Sequence, residues 1–508
     1  MHFLISLLRT KTIVLSCFIL FMQCVSFASQ AAPITVIHNV KGYTTTDQKG
    51  WHSFQAVAFT NGRIIGTGDL AQFKKRFAKA TFIDGKGQTL LPGLIDAHGH
   101  VIGLGQAIFG VDLRGTTSQQ DSVDRVVSHA KANRELTWLR GRGWNQELWE
   151  NNSFPTAKAL DEYFPSLPIW LVRVDGHAGW ANSAAMKLAG VSSSTITPEG
   201  GEITRDEQGN PTGIFVDNAM SLITDVSPSY SRPEQQKALD LAEAHLLSLG
   251  ITSVHDAGID YSTYQLYREN AAKNQLVPRL YAMLGADSPK LSTMLNNGIV
   301  ATDNGQLLIR SVKIYADGAL GSRGAALLKP YQDAPHNHGL LLQTPEELNQ
   351  LFTEVLNHRF QINTHAIGDK ANKLVLDLLA FHQEEKPQIS LLRHRIEHAQ
   401  IIDKKDLSRF KTLALIPSMQ PTHATSDMNM AEDRLGKKRL VGAYAWQTLL
   451  KQGNRIAAGS DFPVELANPF FGIHAAVTRQ DRNNNPLKGW RIDEAMSVEQ
   501  AMTRGVFK

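Results

Sequence analysis

Eight short apolar segments, each ending in polar or glycine residues and separated by stretches of helical character, predict an α/β protein built on a (β/α)8 TIM barrel. Two further observations support that fold class. The polar residues gather at the C-terminal ends of the segments, which in a barrel surround one mouth, and 508 residues leave room for a barrel with additions. The expected regions are a signal segment over 1–28, a small β-sandwich-like domain over 29–89, and the barrel over 90–508 with an insertion at about 111–247.

The first 28 residues carry Arg9 and Lys11, an apolar run from Thr12 to Met22, and the small-x-small pattern Ser26-Phe27-Ala28. This is the layout of a secretory signal cut after Ala28, and the apolar run is shorter than the roughly 20 residues that span a bilayer. Export, to the periplasm in a diderm bacterium, is the expected outcome, with no stable membrane insertion after cleavage. Cleavage removes Cys17 and Cys24, the chain's 2 cysteines, and lowers the formal charge from +4 to +2. A mature chain without cysteine forms no disulfide, so packing and any bound metal must hold it together. A composition that is 42% hydrophobic and 20% charged, with so small a net charge, gives no footprint for nucleic acid.

Between Ile34 and Leu90 lie short β-type runs separated by Asn61-Gly62 and Gly85-Lys86-Gly87, and Asn-Gly between apolar runs signals a hairpin. The barrel segments follow at 90–100, 251–256, 279–284, 312–317, 361–365, 395–398, 413–418 and 455–461. The count of eight requires 111–247 to be an insertion, which itself holds a strand-like run at 168–174.

His98 and His100 stand at i and i+2 of an extended run, so their imidazoles share a face and can chelate one metal. Each alone is equally well read as a hydrogen-bonded core histidine. Metal chemistry needs several nitrogen and oxygen donors with one position open for water. His98 and His100 from the first segment, His365 from the fifth, His398 from the sixth and Asp461 from the eighth supply enough for one ion and nearly enough for two. Lys313, on the fourth segment, is unexpected inside a barrel. A neutral amine there can capture carbon dioxide as a carbamate with two ligating oxygens. The other reading, which sequence physics alone favours, is a salt bridge from Lys313 to Asp317 or Glu397.

The motifs Pro92-Gly93-Leu94-Ile95-Asp96-Ala97-His98-Gly99-His100, Lys313-Ile314-Tyr315-Ala316-Asp317-Gly318 with Ser322-Arg323, Thr364-His365-Ala366-Ile367-Gly368-Asp369, Arg395-Ile396-Glu397-His398 and Gly459-Ser460-Asp461-Phe462-Pro463 occur in this order. Together they resemble the amidohydrolase superfamily. The match is closer to its amidohydrolase-3 branch, which includes N-substituted formamide deformylases and YtcJ-like hydrolases. The resemblance implies one or two divalent metal ions, Zn2+ being the expected metal. Its ligands would be His98, His100, His365, His398 and Asp461, with carbon dioxide on Lys313 as a bridging carbamate. It further implies that Asp461 acts as general base and then acid, and that His398 or His365 supports the tetrahedral oxyanion.

A small-molecule substrate would be contacted by His177 and Trp144 of the insertion, and by Asp317, Arg323, His255 and Gln420 near the strand ends. For Trp144 a packing role is an equally good reading. His423, like His255 and Gln420, is a candidate for contact with ligands or substrate. The reaction implied is hydrolysis of a C–N bond in an N-formyl, N-acyl or cyclic amide. Ester or carbamate hydrolysis and isomerisation are alternatives on the same site. The chain stops at Lys508, soon after the start of the expected last helix, whereas the family normally returns to complete the N-terminal β layer. The C-terminal half of that layer is therefore expected to be missing. A non-catalytic binding protein, or a homo-oligomer that covers the gap, follows as a further expectation.

Overall fold

The computed structural model describes residues 32–46, 50–151, 153–174, 176, 178–198 and 201–502. The expected signal segment and His177 lie outside the described residues. Residues up to Pro92 form one compact unit and those from Gly93 onward another.

The first unit is a five-stranded sheet in which Thr35–Thr46 pairs antiparallel with Gly50–Thr60, and Gly50–Thr60 with Arg63–Gly68. Asn61 and Gly62 carry the chain between the last two at positive φ, 49° and 69°. That is what a two-residue hairpin turn demands, and Asn-Gly is the pair that tolerates it. Val36, Ala56, Ala58 and Phe73 form its core.

The second unit contains a nine-stranded sheet, in which Val300–Ala301 is a short antiparallel addition to the fourth of eight parallel strands. The eight are β1 (Leu94–Gly99), β2 (Ile251–Ile259), β3 (Arg279–Gly285), β4 (Leu307–Tyr315), β5 (Gln361–Ala366), β6 (Arg395–His398), β7 (Ile416–Met419) and β8 (Ala457–Ala458). Neighbours pair in parallel in sequence order from β1 to β8. The ring closes beyond the β8 ladder. Asp461 N donates to His98 O at 2.7 Å, and His100 N donates to Phe462 O at 2.8 Å. Asp96, wholly buried, adds a side-chain tie by accepting from Ser460 Oγ at 2.7 Å and from His98 N at 3.1 Å.

Gly459 is what lets β8 come so close. A Cβ there would lie 2.4 Å from His98 N and 2.7 Å from Asp96 Oδ1. The obstacle is mostly backbone and cannot turn aside, so Gly459→Ala is expected to cost at least about 1–3 kcal/mol. It should also lower metal retention, because His98 and Asp461 flank the seam. Thermal unfolding with elemental analysis checks this, and an unchanged transition would contradict it.

β7 is shorter than the segment expected at 413–418. A helical turn at Arg409–Thr412 precedes it, and Ala414 has a φ of 53° that no strand accommodates. The insertion departs further from expectation. In place of one strand it holds a six-stranded sheet, ordered Gly201–Arg205, Pro211–Asp217, Ala178–Ala181, Ile169–Arg173, Leu139–Trp144, Val111–Asp112. Trp144 is fully buried within that sheet's core and donates from Nε1 to Leu171 O at 2.8 Å. Its role is packing, which corrects the expected substrate contact. Among the described residues no helix is long and apolar enough to cross a membrane.

Candidate metal centre

Parallel strands buried on both faces put their C-terminal residues around one opening, and here that geometry gathers histidines. His98, His398 and Asp461 are buried, and each offers a ligand atom within 4.8 Å of the others. The His98 and His398 rings lie 4.8 Å apart, and those of His398 and His365 4.5 Å. His100 Nε2 is 3.0 Å from Asp461 Oδ1. His98 Nδ1 contacts Glu397 Oε2 at 2.5 Å, which leaves Nε2 buried with no hydrogen-bond partner and 3.6 Å from Asp461 Oδ1. Holding one imidazole nitrogen with a carboxylate and leaving the other bare is how proteins orient a metal-binding histidine.

Burial and the Lys313 charge push His98 down to about 4 and His365 to about 3, and burial with the neighbouring imidazoles holds His398 well below its ordinary value. All three are therefore neutral, the form that binds metal. Burial alone would raise Asp461, but His98, His100 and His398 around it hold it well below the usual carboxylate range. Neutral imidazoles beside an ionised carboxylate, with an orphaned nitrogen between them, fit a divalent cation of the zinc type.

Lys313 is 1% exposed, and its Nζ sits 4.5 Å from the centre of the Tyr315 ring. Among the described residues it has no ion-pair partner within 4.0 Å, so the salt bridge to Asp317 or Glu397 is not formed. Burial lowers its pKa. Glu397 is taken instead by Arg395, whose Nη2 donates to Oε2 at 2.9 Å, while the Nε to Oε1 approach of 2.7 Å is off the hydrogen-bond direction.

Several expected substrate contacts are engaged elsewhere. Asp317, 1% exposed, accepts backbone N–H bonds from Ala326, Ile367 and Gly368 at 2.8 to 2.9 Å, and its Oδ1 stands 3.5 Å from His365 Nε2. It fixes the β4 and β5 ends rather than meeting substrate. Gln420 Oε1 accepts from His398 Nδ1 at 2.8 Å and is buried, so it orients that histidine. Arg323 pairs with Asp333 at 2.8 Å in the loop after β4. His255 faces Arg395 Nη1 at 2.7 Å, in the middle of β2, because that strand runs three residues past the expected end.

The sequence reading did not single out Arg395. Its signal was available: Arg395 and Glu397 alternate on the inward face of a strand buried throughout, and buried charges must be paired.

A closed barrel presenting neutral histidines and an ionised aspartate at one end has the architecture of a metal-dependent hydrolase. The chain belongs to the amidohydrolase family, whose description, "Amidohydrolase family" (Amidohydro_3), matches residues 81–504. It is 36% identical over 442 residues to the Arabidopsis thaliana protein LONG AFTER FAR-RED 3, covering 84% of this chain and 74% of that one. To the putative amidohydrolase YtcJ of Bacillus subtilis it is 31% identical over 455 residues, covering 88% and 84%. Among solved structures, an uncharacterized metal-dependent hydrolase from Pyrococcus horikoshii is similar at a TM-score of 0.77 and 26% identity, over 93% of this chain and 91% of that one.

Proposed function

We propose that this chain hydrolyses a C–N bond in an N-formyl, N-acyl or cyclic amide. One observation carries the proposal: the orphaned His98 Nε2 beside His398 and Asp461, with ligand atoms within 4.8 Å. The printed name of the Bacillus relative, an amidohydrolase, supports the amide. His98, His100, His365, His398 and Asp461 would hold one or two divalent ions, zinc foremost. Lys313 would join them after its amine forms an N–C bond to carbon dioxide and releases a proton, giving a carbamate.

When bound, such ions lower the pKa of a coordinated water and polarise a carbonyl. The chain's own part is positional and protonic. Asp461 accepts the proton of the attacking water on a carboxylate oxygen and returns it to the departing nitrogen, so the amide leaves as a neutral amine. Glu397 and Gln420 keep His98 and His398 in their tautomers while this happens. The proposal includes export, with the signal removed after Ala28.

Elemental mass spectrometry of the purified mature protein tests the centre. About two ions per chain are expected, falling to one or fewer in Lys313→Ala. Turnover of an N-formyl or N-acyl amide panel tests the reaction. A wild-type chain that takes up no metal when zinc, manganese or iron is supplied would remove the basis of the proposal.

A further inference from the structure

The centre holds one buried donor that the chemistry above leaves unused. His423 is near the start of the helix Pro421–Leu435, which follows β7. Its ring stacks on His398 at 5.8 Å and 13°, and its Nε2 is 3.6 Å from Asp461 Oδ2, buried and without a hydrogen-bond partner. That separation is too long for a hydrogen bond to the carboxylate. On the far side of the ring, Nδ1 lies 3.3 Å from Gln400 Nε2. An amide N–H can only donate, so Nδ1 accepts and the hydrogen sits on Nε2. Gln400 is itself buried, and its backbone carbonyl accepts from Tyr444 N at 2.7 Å, while its side-chain Oε1 has no hydrogen-bond partner. With the Gln400 amide in this orientation, His423 aims an N–H at the space above Asp461 with nothing to receive it.

His98 and His398 have no comparable donor to spare. His98 Nδ1 is engaged by Glu397, and His398 Nδ1 by Gln420. His365 Nε2 is also without a hydrogen-bond partner, but it faces Asp317 at 3.5 Å rather than Asp461. The second nitrogens of His98 and His398 would belong to the ligand set of the proposed centre. The residue next to His423 repeats the pattern: Thr422 Oγ1 is also buried without a partner.

We propose that His423 is a catalytic residue that donates Nε2–H to the carbonyl oxygen of the substrate, and that this contact tightens as the oxygen becomes an oxyanion. The inference rests on the C–N hydrolase reading. Attack by water forms a C–O bond, and the carbonyl π pair moves onto the oxygen facing His423. The water's proton goes to Asp461, and His423 keeps its own proton throughout. When the C–N bond breaks, the oxygen's pair re-forms the carbonyl and Asp461 returns the proton to nitrogen. This places the oxyanion on His423 in preference to His398, whose Nδ1 is held by Gln420, and to His365, whose Nε2 faces Asp317.

The test compares His423→Gln, His423→Asn and His423→Leu in the metal-loaded protein, with methylphosphonate as the tetrahedral anionic probe. Glutamine puts an amide nitrogen near the place of Nε2, asparagine near that of Nδ1. Calorimetry should show probe binding weakened about tenfold or more in the Asn and Leu variants and within a few fold of wild type in the Gln variant. Metal per chain should be equal in all four proteins. With an amide substrate in hand, kcat should fall about 10²–10³-fold in the Leu variant with little change in KM. Equal probe affinity in all four proteins would overturn the proposal, and so would loss of metal in the Asn and Leu variants, which would make His423 a ligand. A wild type devoid of metal would instead defeat the hydrolase reading, and this inference with it.

Discussion

The Glu397→Ala variant is expected to lose about 3–5 kcal/mol of stability, because it strands a buried guanidinium. Arg395 is 3% exposed, and Glu397 is its counter-charge at 2.7 to 2.9 Å. Its remaining contacts, Ala97 O and Ser418 Oγ at 2.7 Å from Nη2 and His255 Nδ1 at 2.7 Å from Nη1, are neutral acceptors that cannot offset the charge. Against the 5–15 kcal/mol that a typical domain has in reserve, this is a large fraction.

The same substitution frees His98 Nδ1, which contacts Glu397 at 2.5 Å, so the ring loses both its tautomer and its aim. Losing a partner of that kind typically weakens metal binding about 10–100-fold. Glu397→Gln keeps the shape and an acceptor oxygen and should fall between wild type and alanine. Urea unfolding read beside metal content checks both effects, and an alanine variant as stable and as metal-rich as wild type would show that Arg395 is satisfied without Glu397.

The barrel was legible because its strands are buried on both faces. Such strands read as continuous apolar runs with polar residues at one end, and that pattern alone places His98, His365, His398 and Asp461 at one mouth. Boundaries failed where the run and the strand part company. β2 extends to Ile259, so His255 falls mid-strand beneath the mouth and meets Arg395 there. The insertion was illegible because its strands include pieces as short as Val111–Asp112, too brief for any periodicity.

Partnerships across the barrel were also out of reach. His98 and Glu397 meet although 299 positions apart, and nothing local to either names the other. Asp317 and Gln420 were read as substrate contacts because polar residues at strand ends usually face the opening. The folded chain turns the first onto backbone N–H groups and the second onto His398. His423 shows the same limit in reverse. Its place near a strand end makes it one candidate among several, and only the stacking on His398 and the empty Nε2 set it apart.

Asp461→Asn is expected to reduce turnover about 10²–10⁴-fold, the usual contribution of a positioned acid or base, while leaving the fold intact. The backbone allows the comparison to be clean. Asp461 has a φ of 63°, in the left-handed region where asparagine is among the few side chains readily tolerated, so the loop that closes β8 on β1 should survive. Alanine at this position would add backbone strain to the chemical loss and confuse the two.

What asparagine removes is the charge. The His98, His100 and His423 nitrogens lie 3.0 to 3.6 Å from the Asp461 carboxylate, and the imidazoles keep it ionised despite its burial. A neutral amide can still act as a weak oxygen ligand, but it cannot take a proton from water and hand it to a departing amine. Metal content should therefore fall by less than kcat does. A variant that holds its metal and turns over an amide within about tenfold of wild type would take the proton-transfer role away from Asp461. It would then have to pass to another group at the mouth.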